Sequence, residues 1–211
     1  MRTAILAAAV LAAVAAPVAV QAQAAARRPS TPAAAPAYRL ACAGPFSART
    51  TEADLRRLFG AANVTRERVN TVEAEEANAT VLFARDPSRR AEVFWIDDAR
   101  HPGFSGLRTA GRAWTTQHGL RVGSPIADVQ RVHGRPFNLS GFGWDYGGVP
   151  DFEGGRLAQP TAPGCHIGYD LVPAENANST QALGEGTYRS DSAAVRSQRP
   201  QVGRITLSFE N

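Results

Sequence analysis

The chain has 211 residues, 23 arginines and no lysine, 19 carboxylates and a formal net charge of +4. Acids and arginines interleave along it, so it lacks the basic stripe that tracks a phosphate backbone, and a nucleic-acid partner is excluded. Its length suits one compact domain or two small repeated ones.

Residues 1–24, MRTAILAAAVLAAVAAPVAVQAQA, place one arginine before an apolar run and close it with small residues in an Ala-Gln-Ala context. These are the parts of a secretory signal peptide. Pro17 interrupts the run, which reads as a cleaved leader rather than an anchor, and no later stretch has the length of a membrane span. The expected protein is periplasmic or secreted. Residues 25–37 are rich in Pro and Ala and read as a disordered spacer. The chain holds two cysteines, Cys42 and Cys165, and export to an oxidising compartment makes a disulfide between them the expectation.

Tyr38 to Cys42 (YRLAC) alternates polar and apolar residues, as a first strand would. Thr50 or Thr51 is the N-cap candidate, and Asp54 stands three residues after Thr51 as a capping-box partner, opening a helix whose apolar face is Leu55, Leu58 and Phe59. Gly60 is its left-handed stop. Residues 62–72 fit either a short helix or a strand. ATVLFA (Ala79 to Ala84) and AEVFWI (Ala91 to Ile96), joined by the DPSRR turn, predict a hairpin. Phe104 to Thr109 and the region of Trp114 read as further strands.

A second round follows. ADLRRLFG (Ala53 to Gly60) is echoed by ADVQRVHG (Ala127 to Gly134) at an offset of 74 residues. Ser124 fits the N-cap and Pro125 the first helical position, with Ile126, Val129 and Val132 inward and Gly134 as the stop. His133 falls where the first copy has Phe59, a packing position. Phe142, Trp144 and Tyr146 recur at period two, so a strand over Phe137 to Tyr146 would carry them on one face. Gly164 to Val172 and Val202 to Glu210 are strands, the latter with Ile205, Leu207 and Phe209 on one side. Between them, 173–200 is long, polar and aperiodic, and reads as a flexible surface loop. The predicted class is α+β: two tandem helix-plus-antiparallel-sheet units, 38–115 and 116–211, packed side by side.

The pattern G-x-x-x-x-x-V-x-x-x-x-G-x-P from Gly123 to Pro136, followed by the aromatic stretch with Trp144 and Tyr146, resembles the repeat of the β-lactamase inhibitory protein family. It is similar also to the related fold of small bacterial outer-membrane assembly lipoproteins. The resemblance implies an exported protein of tandem helix-on-sheet units that acts by binding another protein. It covers about thirty residues of the second unit. In the first unit Arg49 replaces the leading glycine and Ala61-Ala62 replaces Arg135-Pro136.

Reaction chemistry finds little support. GFSGL (Gly103 to Leu107) lacks the last glycine of a nucleophile elbow. His101, His118, His133 and His166 are scattered without zinc-ligand spacing, so no metal is expected, and GFGWDYGG (Gly141 to Gly148) precedes no helix and cradles no phosphate. No cofactor is expected and no catalytic residue is assigned. Asp97-Asp98 and Asp151-Phe-Glu153 lie at turns where acids solvate or cap. Phe142, Trp144 and Tyr146 have two readings: an exposed binding strip, or core facing the helices. The expected function is an exported protein-binding module, an inhibitor or envelope assembly factor, whose partner is another envelope or secreted protein. The alternative is a small exported hydrolase of envelope glycans using Asp145, Asp151 or Glu153.

Overall fold

A computed structural model describes residues 38–71, 74–97, 103–160, 162–177 and 180–210. The expected leader (1–24) and spacer (25–37) lie outside the described residues, as do Asp98 and His101. The elements, in order, are β1 (Arg39–Leu40), α1 (Glu52–Phe59), β2 (Val64–Asn70), β3 (Glu76–Leu82), β4 (Ala91–Trp95), β5 (Phe104–Thr109) and β6 (Thr115–Thr116). They continue with α2 (Ile126–His133), β7 (Asn138–Ser140), β8 (Pro150–Asp151), β9 (Cys165–Val172), β10 (Thr187–Arg189), α3 (Ala193–Ser197) and β11 (Gln201–Phe209). The class is α+β, with strand in excess of helix.

The capping box opens α1 as its sequence requires. The Asp54 N–H donates to Thr51 Oγ1 at 3.2 Å and the Thr51 N–H to Asp54 Oδ2 at 3.0 Å. Leu55 is buried and Phe59 half-buried, whereas Leu58 points outward. Gly60 leaves the helix with φ 85° and ψ 135°, outside the left-handed helical region, and a single 3-10 turn (Ala61–Asn63) leads into β2. Residues 64–70 are therefore strand. Val64, Thr65 and Val69 are β-branched, and the segment pairs with β3 along its whole length.

The second helix repeats the offset of 74 residues at both ends. Pro125, with φ −67° and ψ 154°, is its N-cap rather than its first residue. Ser124 serves the preceding turn instead, its Oγ accepting the Arg121 N–H at 3.0 Å. The chain before β11 sets this start, because the Ile126 N–H donates to Pro200 O at 2.9 Å and the Val202 N–H to Ser124 O at 2.8 Å. Gly134, at φ 93° and ψ −2°, is a left-handed cap.

Six strands form one antiparallel sheet in the order β2-β3-β4-β5-β11-β9. β5 pairs with β11, so strands from either side of the expected boundary at 115/116 share the sheet. Leu55 of α1 and Val129 of α2 belong to the same buried cluster on one face. A smaller cluster, Val69, Ala79 and Val81 with Phe94, lies on the other. The Cys42–Cys165 disulfide, spanning 123 residues with Cα atoms 5.8 Å apart, ties the segment after β1 to the start of β9.

The stretch 173–200 departs from its expected character as a loop. It holds β10 and α3, and Ala182, Ser190, Val195 and Gln198 are buried. Pairing of β10 with β7 holds it, together with polar contacts: Ser190 Oγ accepts the Phe137 N–H at 2.9 Å, and Ser192 Oγ caps α3 by accepting the Val195 N–H at 3.2 Å. Elements of three and five residues are too short to show a period, which is why the segment reads as aperiodic.

Candidate functional site: the glycine-rich aromatic loop

The strand expected over Phe137 to Tyr146 ends at Ser140, and residues 141–149 form a loop between β7 and β8. With β10 these strands make a small second sheet, β10-β7-β8. Ser140 closes the loop on itself. Its Oγ accepts the Val149 N–H at 3.0 Å and its hydroxyl donates to Tyr146 O, while the Gly147 N–H donates to Trp144 O at 2.9 Å.

Two neighbouring segments hold the loop from outside. The Phe142 N–H donates to Ala182 O at 2.8 Å, the Gly184 N–H to Phe142 O at 2.9 Å and the Leu171 N–H to Gly148 O at 2.9 Å. This close approach requires the glycines. A Cβ on Gly148 (φ 74°) would lie 1.9 Å from Leu171 O, and one on Gly141 would lie 2.3 Å from Gly184 O.

The three aromatic residues do not share one exposed face. Phe142 is 2% exposed and belongs to the main core, where it anchors the loop. Trp144 and Tyr146 remain at the surface, 36% and 43% exposed, with ring centroids 5.4 Å apart in an edge-on pair. The Trp144 Nε1–H donates to Gly141 O at 2.9 Å, which fixes the indole. A large aromatic side chain already held in place loses little conformational freedom on docking.

Among the described residues, seven large apolar side chains are exposed: Leu58, Ile96, Trp144, Tyr146, Val149, Val172 and Leu183. Five of them lie in the loop or in the two segments bonded to it, at the end of β9 and at 182–184. Val149, Val172 and Leu183 escaped the sequence reading because the exposure of a single apolar side chain leaves no local pattern. The sequence did carry one overlooked signal, since acids and arginines cease to interleave over 141–187.

Asp145, Asp151 and Glu153 are exposed, and the Glu153 N–H donates to Asp151 Oδ1 at 3.1 Å within its own turn. Among the described residues, no group of three His, Cys, Asp or Glu side chains is placed to hold a metal ion. His118 Nδ1 sits 2.9 Å from the Tyr169 hydroxyl, and burial pushes the His118 pKa down and that of Tyr169 up. His166 Nε2 lies 2.8 Å from Glu210 Oε1. His133 is buried between Phe137 and Phe152.

Of four grooves among the described residues that lie away from the loop, two are lined by charged or aromatic clusters. One, of about 550 Å³, is lined by Arg90, Arg108, Arg204 and Glu92. Its arginines are countered by Glu67, Glu92 and Asp170, so it carries little net charge. The other, of about 380 Å³, is lined by Tyr38, Phe46, Phe59, Phe83 and Trp114, with Arg89 stacked over Phe83. Asp145, Asp151 and Glu153 line neither.

No protein-family model matches the chain. No curated protein matches it either. Among solved structures, it is similar to the crystal structure of the uncharacterized protein YfeY from Escherichia coli, at 11% identity and a TM-score of 0.46, covering 81% of this chain and 99% of that one. Among the described residues no helix is long and apolar enough to cross a membrane.

Proposed function

We propose that this chain is an exported protein-binding module that engages another envelope or secreted protein through the 141–149 loop. The observation that carries the reading is the clustering of exposed apolar side chains on three segments cross-linked by backbone hydrogen bonds. Apolar side chains held at a surface cost solvation in the free protein, and their concentration on one preorganised feature is what a docking site needs. The core-bound Phe142 keeps the loop fixed, so binding orders little. The disulfide supports an oxidising compartment. The mechanism in this reading is steric, as an inhibitor or an assembly factor, with the exposed aromatics supplying the contact area.

Trp144→Ala and Tyr146→Ala test this. Each removes exposed surface without touching the core, so far-UV circular dichroism and the melting temperature stay near wild type. Capture from envelope extract by the tagged protein is expected to yield a partner that both variants lose, each weakening affinity about 10-fold or more. A partner retained by both would move the binding site elsewhere.

A further inference from the structure

We infer that the partner surface is basic: the loop docks on an apolar site ringed by lysine or arginine. This rests on the protein-binding reading above and names the class of its partner.

Charge distribution carries it. Residues 141–187 hold Asp145, Asp151, Glu153, Asp170, Glu175 and Glu185 against one arginine, Arg156. That is a net charge of −5 in a chain of +4, leaving +9 for the rest. Asp170 is paired with Arg204 at 3.5 Å, but the other five acids are exposed and form no ion pair among the described residues. Elsewhere the pattern is opposite. Glu52, Asp54, Glu67, Asp86, Glu92 and Asp128 each sit against an arginine.

Two of the unpaired acids stand within the apolar cluster itself. Asp145 lies between Trp144 and Tyr146, and Glu185 lies between Gly184 and Gly186, both of which are hydrogen-bonded to the loop. Unneutralised carboxylates beside exposed aromatics set up a negative field that reaches about 8–10 Å at ordinary salt. A basic rim on the partner relieves that field and speeds encounter, while an acidic rim is repelled. A second copy could offer its own basic remainder. Such a head-to-tail contact uses different surfaces on the two molecules and runs on into open chains unless its rotation closes a ring, so a foreign partner fits better.

Trp144 reports the field directly, because Trp95 and Trp114 are 6% and 1% exposed. Relative to free N-acetyltryptophanamide, quenching of the full chain should be weaker by iodide than by caesium, and Asp145→Asn with Glu185→Gln should bring the two relative values together. Relative iodide quenching equal to or stronger than that of caesium would overturn the inference. The partner class is read by selecting displayed random peptides on the wild-type chain and counter-selecting on Trp144→Ala. Enriched sequences should pair an aromatic or aliphatic residue with flanking Lys or Arg. Their affinity should fall about 10-fold between low and high salt, and comparably in the double variant. Trp144-dependent peptides that are neutral or acidic would overturn the basic partner and leave the site standing. Peptides that do not depend on Trp144 would sink the site as well. Concentration-dependent self-association that the double variant abolishes would make the occupant a second copy and refute the foreign partner.

Discussion

His133 fills the last turn of α2, 1% exposed, its ring edge-on to Phe137 at 5.7 Å and tilted against Phe152 at 5.0 Å. Neither ring nitrogen has a hydrogen-bond partner among the described residues. Desolvation holds its pKa below the ordinary histidine value, Arg135 and Arg156 add to the depression, and Asp151 opposes it. The folded pKa thus lies beneath the unfolded value of about 6.5. The stability this group permits is intact above the unfolded value and is lost as the pH falls from there through the folded one. His118, also depressed by burial, adds to the slope with the same sign. His133→Leu removes one contributor, so the gap between urea midpoints at pH 8 and pH 5 should narrow, and an unchanged gap would refute the assignment. The contact with Gly155 is equally specific. A Cβ there would fall 2.0 Å from the His133 Cε1, so Gly155→Ala should cost about 1–3 kcal/mol in chemical denaturation.

At the scale of elements, sequence legibility followed the physics of each signal. Capping is local chemistry, so Thr51 and Asp54 announced α1, and the octapeptide echo located α2. The β3–β4 hairpin and β5, β9 and β11 showed themselves through runs of β-prone residues. The spacing of Phe142, Trp144 and Tyr146 misled, because period two carries meaning only along an extended chain. Here backbone contacts to Ala182, Gly184 and Leu171 fold the segment into a loop, and no local pattern encodes partners that distant. Core and surface therefore divide within one aromatic triplet: Phe142 inside, Trp144 and Tyr146 outside. Gly148→Ala tests whether that tether positions the site. Its left-handed φ and the 1.9 Å approach to Leu171 O should together cost about 2–4 kcal/mol. Indole quenching should rise as Trp144 loses its fixed pose, and an unaltered melt with unaltered quenching would show that the loop holds without the tether.

Over the whole molecule, the disulfide is the constraint of longest reach. It joins the segment after β1 to the edge strand β9 of the six-stranded sheet, and β1 itself pairs with β6. A link across 123 residues removes about 4–5 kcal/mol of loop entropy from the unfolded chain in the simple entropic account. Both sulfurs also sit in the main core, with Cys165 fully buried, so the bond packs as well as tethers. Replacing both cysteines by serine should lower the melting temperature by about 10–15 °C for a domain of this size. Reductant should bring the wild type down by a similar amount and leave the double variant unmoved. The direction of folding dependence then follows: the chain should gain its full stability only where thiols oxidise, and recombinant material from a reducing cytoplasm should melt low until the bond forms. A wild-type melt indifferent to reductant, with both thiols shown to be free by a thiol assay, would mean that the sheet and its core hold the two halves together without the cross-link.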